Sequence, residues 1–321
     1  MKNIEDNENN AGIARSLLVI NQFEQLCRAA EGVCNIVPLK GISLLLTLYN
    51  QRFDREVGDI DLLVFPAEKV GEFIERLREN GRYRLQFSFL REKKSLQAKQ
   101  KIALCPTVTT LTDVDIHTSF VTKKFFRLSC KGFDEDVINR CRHAGRNVYY
   151  MDCADQWLFL AQHACFHQYS DTKWLRDLSL LMGDMSQAEV ETVRARASEY
   201  GFNRILHSAL KQLGYKCELS SLGMRRCLKF ADWCLALKRK GKIYDKFVTP
   251  FWEFVFIDRC RKRLYAYWRL LFPSLHMIKN IYRLDGTALA AAVYPFHSLL
   301  ALVGLLGFAV IYHYVVFVKS R

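Results

Sequence analysis

Two aspartates, Asp59 and Asp61, stand at i and i+2 in the run Arg55-Glu56-Val57-Gly58-Asp59-Ile60-Asp61-Leu62-Leu63-Val64. The apolar IDLLVF stretch (60–65) predicts a β-strand, and alternate side chains of a strand share one face. Both carboxylates therefore project together, where they repel unless protonated or bridged by cations. Asp113-Val114-Asp115-Ile116-His117 offers a third carboxylate on another predicted strand. Clustered hard oxygen donors suit Mg²⁺, with Mn²⁺ as an alternative occupant, and such ions usually keep substrate phosphate oxygens as ligands. Two of them can activate an attacking oxygen and stabilise a leaving one in an in-line displacement at phosphorus. Upstream, Lys40-Gly41-Ile42-Ser43 reads as a glycine turn between a strand and a helix. There, backbone N–H groups could meet a phosphate. Lys40 and Arg55 are cations within reach of that chemistry; the plainer readings are a solvated strand-end lysine and an arginine that neutralises the aspartates.

The elements that must position these residues follow from periodicity. Residues 13–33 carry apolar positions at helical spacing, and CNIVPL (34–39) reads as a short strand before the Lys40-Gly41 turn. AEKVGEFIERLREN (67–80) is an amphipathic helix ending at Gly81. YRLQFSFL, KIALCPTV, DVDIHTSF and RNVYYM are strand candidates, with REKKS a hairpin tip between the first two. From Cys153 the pattern turns helical: 153–168, 173–182, 187–200, 202–213 and 221–238. The expected organisation is an α/β domain over residues 1–150, a helical domain with a basic juxtamembrane segment over 151–285, and a membrane anchor over 286–321.

Charge supports that division. Residues 1–200 carry 27 basic and 27 acidic side chains, whereas 201–285 carry 18 and 6, a local excess of +12. The 33 residues from Gly286 to Val318 have no formal charge, and Leu299–Val318 supplies 20 residues. A helix of about 20 apolar residues crosses a hydrocarbon core of about 30 Å. Pro295 is expected to separate an interfacial turn from the span, since proline disfavours a continuing helix. The aromatic and basic segment before it suits an anionic bilayer surface. By the positive-inside tendency the catalytic part is cytoplasmic, with a single C-terminal span; the competing reading is a buried C-terminal helical hairpin. The N-terminal stretch has no apolar h-region of a signal peptide. Eleven cysteines without a CxxC pair speak for reduced thiols and against a disulfide framework or zinc ribbon.

The ordered set LKG (39–41), R-x-x-GDIDLLV (55–64) and DxH (115–117) resembles the nucleotidyltransferase superfamily of the DNA polymerase β type. It is most similar to the branch labelled uncharacterised nucleotidyltransferases. That resemblance implies an α+β fold, a minimal palm with a mixed sheet, and metal-dependent transfer of a nucleoside monophosphate from an NTP to an acceptor. It implies that Gly41 and Ser43 line the triphosphate, that Asp59 and Asp61 hold both metals, and that Asp115 is the third ligand and orients the acceptor hydroxyl. Asp113 rivals Asp115, which the branch's position two before the histidine (His117) favours. Where the superfamily carries Gly-Ser or Gly-Gly, this chain has Gly41-Ile42. His163 and His167 share a helix face at a zinc-capable spacing, but position 164 is alanine and no HExxH motif exists. A polar patch is the plainer reading; in the resembling branch such a helix, followed by Trp174-Leu175-Arg176-Asp177, recurs, which makes these residues candidates to complete a nucleotide or acceptor pocket. The same residues leave two other functions open: an RNA-modifying, toxin-like transferase and a non-catalytic nucleotide-binding scaffold. The uncharged balance of the catalytic half argues against nucleic acid as partner. The retained aspartates argue against the scaffold. The expected partners are an NTP, an acceptor of unknown identity and an anionic membrane surface.

Overall fold

The computed structural model describes residues 2–49, 55–86, 101–121, 126, 130, 132–215, 222–239, 252, 254–282, 284 and 286–314. The strand candidate over 83–90 is described only at its start, and the REKKS tip lies outside the described residues. The fold is mixed α/β with a helical C-terminal part. Two compact units share the chain: residues 1–122, 133–156 and 180–185 in the first, and 123–132, 157–179 and 186–321 in the second.

The first unit holds the sheet. Its strands are β1 (Asn35–Leu39), β2 (Asp59–Phe65), β3 (Tyr83–Leu85), β4 (Lys101–Pro106), β5 (Asp113–His117), β6 (Arg142–Gly145) and β7 (Val148–Tyr150). They lie in the order β3-β4-β5-β2-β1-β7-β6. β2 runs parallel to β5 and antiparallel to β1, so the sheet is mixed. Its two central strands explain the IDLLVF signal: Ile60, Leu62, Val114 and Ile116 are fully buried on one face. Burying each such side chain contributes about 1.5–3 kcal/mol. The helices of this unit are α1 (Lys2–Ala30), α2 (Lys40–Thr47), α3 (Val70–Glu79) and α4 (Phe133–Arg140). α1 starts eleven residues before the expected position, because residues 2–12 lack the apolar stripe on which a periodicity reading depends. α3 buries Val70, Phe73, Ile74 and Leu77, an i, i+3, i+4, i+7 stripe.

One contact ties α1 to the strand that carries Asp115. The buried Gln22 amide donates to Tyr83 Oη (2.9 Å) and to the Thr112 carbonyl (2.8 Å), and its oxygen accepts from Thr112 N (2.9 Å). Gln22→Leu would leave two backbone groups at the mouth of β5 unsatisfied, at about 1–3 kcal/mol each. The expected result is faster amide hydrogen exchange along β5 with little change in β6 and β7. Equal protection in the variant would show that Gln22 does not hold this strand.

The helices α5 (Cys153–Phe166) and α6 (Thr172–Asp184) each contribute residues to both units. The second unit continues with α7 (Gln187–Tyr200), α8 (Asn203–Gln212), α9 (Leu222–Arg239), α10 (Cys260–Leu271), α11 (Leu275–Tyr282) and α12 (Thr287–His313). α7 starts with a Ser186–Glu189 capping box and stops at Gly201, whose φ of +77° suits a residue without a side chain. α12 is one continuous helix of 27 residues with Pro295 inside it, so the expected break at Pro295 does not occur. Proline at the ninth position removes one backbone donor, while the helix on either side continues. α12 is long and apolar enough to cross a membrane. It also packs on its own unit: Ser298 Oγ donates to the Leu271 carbonyl (2.7 Å), and Phe230 meets Phe308 and Tyr312 at ring-centroid distances of 5.3 and 5.1 Å.

Candidate functional site

Register brings the acidic residues together. Across the parallel β2–β5 pair, Asp59 stands beside Asp113, Asp61 beside Asp115 and Leu63 beside His117. Paired residues of neighbouring strands share a face, so Asp59, Asp61, Asp113, Asp115 and His117 all project to one side. Asp59 and Asp113 are exposed at the strand starts, whereas Asp61, Asp115 and His117 are 1%, 7% and 3% exposed. Ligand atoms of these last three lie within 4.8 Å of one another. His117 thus joins the tightest cluster, in which the sequence pattern led us to expect Asp59.

Two lysines balance the buried carboxylates. Lys40 Nζ lies 2.6 Å from Asp61 Oδ1, and Lys101 pairs with Asp115 Oδ2. His117 Nε2 approaches the same Asp61 oxygen at 2.9 Å. Burial pushes the Asp61 carboxyl up, but the Lys40 charge and the His117 hydrogen bond outweigh it and hold the group below the usual carboxylate range. Burial lowers His117, so the ring is a neutral imidazole that donates its Nε2–H to Asp61. Lys40 is raised: burial disfavours its charge, and the Asp61 carboxylate more than compensates. Desolvation raises Asp59, and the neighbouring Asp61 charge adds to it. Ammonium groups therefore pair with Asp61 and Asp115, while Asp59 still feels the Asp61 charge.

A carboxylate held below its unfolded value, about 3.9, adds stability that is present above that pH and is lost as pH falls through the folded value. Lys40→Met removes the main cation holding Asp61 down. Acid unfolding followed by circular dichroism is then expected to begin at higher pH than in the unaltered chain. An identical acid limb would show that Lys40 does not set the ionisation of Asp61.

The start of α2 adds positive character. It has no acidic residue in its first turn, and Lys40 sits at φ +50°, a left-handed conformation uncommon outside glycine. Gly41 does not adopt positive φ, and a side chain there would meet its neighbours at ordinary contact distances. A Cβ there would lie 3.4 Å from Val57 Cγ1 and 3.8 Å from Arg55 Nη1. Arg55, 7% exposed, therefore brings its guanidinium beside the helix start. Ser43 points inward, 2% exposed, and its hydroxyl accepts from Gln156 Nε2 at 3.0 Å.

His163, His167 and Asp177 belong to the second unit. The two imidazoles lie 4.5 Å apart by ring centroid, with Trp174 at 5.1 and 5.3 Å from them, and Asp177 is fully buried. Lys101 and Gln156 escaped the sequence reading. A lysine at a strand start looks solvated, and only the β4–β5 register, which sets Lys101 beside His117, shows otherwise.

The donor set fits a hard divalent cation. Asp61 and Asp115 present carboxylate oxygens on one face, and each is paired with a lysine. Asp61 and Asp115 could together hold an ion, with His117 bonded to Asp61 beside them.

The family model described as "Uncharacterised nucleotidyltransferase" matches residues 6–214. No curated protein matches the chain.

Proposed function

Because the chain belongs to the uncharacterised nucleotidyltransferase family, we propose that it moves a nucleoside monophosphate from an NTP to a hydroxyl or similar acceptor. The acceptor would be a small molecule, a peptide or a saccharide intermediate at the membrane. The observation that carries this reading is the in-register pairing of Asp59 and Asp61 with Asp113 and Asp115 on one sheet face.

Asp59, Asp61 and Asp115 would hold two Mg²⁺ ions, with Mn²⁺ as a substitute. Bound there, the ions would lower the charge at the α-phosphate and activate the acceptor oxygen. Asp115 would orient the acceptor hydroxyl, and His117 would fix the Asp61 carboxylate through its Nε2–H. Lys40, Gly41 and Arg55 would receive the triphosphate at the start of α2, where cationic side chains and backbone N–H groups converge. Ser43, turned inward onto Gln156, would support that start from beneath. Attack of the acceptor oxygen on the α-phosphorus forms the new P–O bond and releases pyrophosphate.

α12 is proposed to hold the chain at the membrane as a single span, with the catalytic part cytoplasmic beside the basic flank of residues 201–285. A second reading, nucleotide binding without turnover, has one observation in its favour: both buried aspartates are already neutralised by lysines. One experiment separates them. A panel of NTPs labelled at the α-phosphate, incubated with the full chain and a cell extract, should give a labelled acceptor that disappears on chelation. Labelled NTP retained by the chain, with no product under any cation, would favour the binding module.

A further inference from the structure

α12 touches its own unit at both ends and in the middle. Near its start Lys279 Nζ donates to Thr287 Oγ1 at 3.2 Å. At mid-helix His297 Nε2–H donates to the Leu270 carbonyl (2.9 Å), and the Tyr282 hydroxyl donates to His297 Nδ1 (3.1 Å). At the far end Phe308 and Tyr312 meet Phe230 of α9. These contacts cannot all persist in a span. Tyr312 lies fourteen residues beyond Ser298, about 21 Å along a helix, against a hydrocarbon core of about 30 Å. With the mid-helix contacts at the cytoplasmic surface, Phe230 would have to follow Tyr312 deep into the hydrocarbon. Its helix also carries Arg225, Arg226 and Lys229, and charged side chains at that depth are costly. Docking and spanning therefore exclude one another.

The docked packing is also incomplete. Only Ala290 and His297 of α12 are buried, while Leu299, Val303 and Leu306 are each 59% exposed and Val310 is 70% exposed. A half-open cavity of about 470 Å³ lies between residues 305–313 and the rings of Phe254 and Tyr267. We infer that α12 is a two-position switch, docked on its unit away from a membrane and released from α9 when it spans a bilayer. A ligand shifts a two-state equilibrium only through differential affinity. Acyl chains supply it here, because they surround the inserted helix on every side but can reach only its outer face while it is docked. The inference rests on the single span proposed above and adds the state that precedes it. Undocking strips Phe230 of its two ring partners, so α9 loosens as the chain becomes anchored.

The test is photocross-linking of the full chain carrying Tyr312→p-benzoylphenylalanine, made without detergent in a cell-free system. Mixed vesicles of dioleoylphosphatidylcholine and dioleoylphosphatidylglycerol are added or withheld. Without vesicles the label should join α9 at or beside Phe230. In chain that floats with the vesicles, that product should fall at least about tenfold and lipid should take the label instead. The same chain with Val303→Lys and Val310→Lys should keep the α9 product with vesicles present. Flotation and cross-linking are read separately. A chain that floats with its α9 product undiminished keeps its membrane contact and overturns the switch alone. A chain that never floats removes the span and the switch together. Absence of the α9 product without vesicles overturns the docked state. Should the photoreactive residue disturb folding, amide hydrogen exchange on the unaltered chain decides: α9 should exchange faster in floated chain than in free chain, and equal rates would overturn the inference.

Discussion

Asp61→Asn is expected to reduce nucleotidyl transfer by at least about 10³-fold, because it removes a full negative charge from the centre of a proposed two-ion site. It is also expected to destabilise the first unit, and here the structure changes what the sequence alone suggests. Two aspartates on one strand face repel, so neutralising one should help. Instead Asp61 is the buried partner of Lys40, and removing one member of such a pair strands the other, at a cost of about 2–4 kcal/mol for a lysine with some solvent access. The double variant Asp61→Asn with Lys40→Met should recover most of that stability and none of the activity. Denaturant unfolding and the labelled transfer assay read the two effects separately. Recovery of activity in the double variant would show that Asp61 serves the fold and not the reaction.

Val303→Lys with Val310→Lys is expected to move the chain from the membrane pellet to the supernatant. A lysine at the centre of an inserted helix costs about 2.5–3.5 kcal/mol and one nearer its end costs less. Neither side chain is needed for packing, since both are more than half exposed, so circular dichroism should be unchanged. Deleting residues 286–321 is a different perturbation. It strips Phe230 of Phe308 and Tyr312, and leaves the Leu270 and Leu271 carbonyls without His297 and Ser298. The deleted chain should therefore expose apolar surface and aggregate without detergent, while the double-lysine chain stays monodisperse. If the double-lysine variant remained in the pellet through a high-salt wash, α12 would not be the membrane element. The basic flank, Arg259, Arg261, Lys262, Arg263 and Arg269, should then account for binding at roughly 1 kcal/mol per residue, and salt would release it.

Much of the sheet was legible because its signals are local. Asp59-Ile60-Asp61 alternates at period two beside LLVF, and Asp113-Val114-Asp115 repeats the pattern, so both strands and the shared face of each aspartate pair follow from residue spacing. The register between the two strands is a long-range fact. Spacing could not say that Asp61 meets Asp115, nor that His117 and two lysines surround them. Lys101 is set beside His117 only by the pairing of β4 with β5. Gly41 was legible as part of a turn before a helix, but that the positive φ falls on Lys40, with Val57 and Arg55 packed at ordinary contact distance, depends on the fold. Ser43 looked like a phosphate contact because it follows Gly41 by two residues, while its partner Gln156 lies 113 residues away. In the tail, apolar length was plain, but the division of α12 into a packed face and an open face depends on neighbours from three other segments of the chain.

The most direct test of the central claim is Mn²⁺ binding, followed by electron paramagnetic resonance, in the full chain with a non-hydrolysable NTP analogue. The two buried aspartates are expected to carry the affinity: Asp61→Asn and Asp115→Asn should each weaken Mn²⁺ binding at least about tenfold, and Asp113→Asn, exposed at the strand start, should leave it nearly unchanged. Mn²⁺ that binds the unaltered chain and all three variants alike, or does not bind at all with the analogue present, would contradict a carboxylate metal site on this sheet.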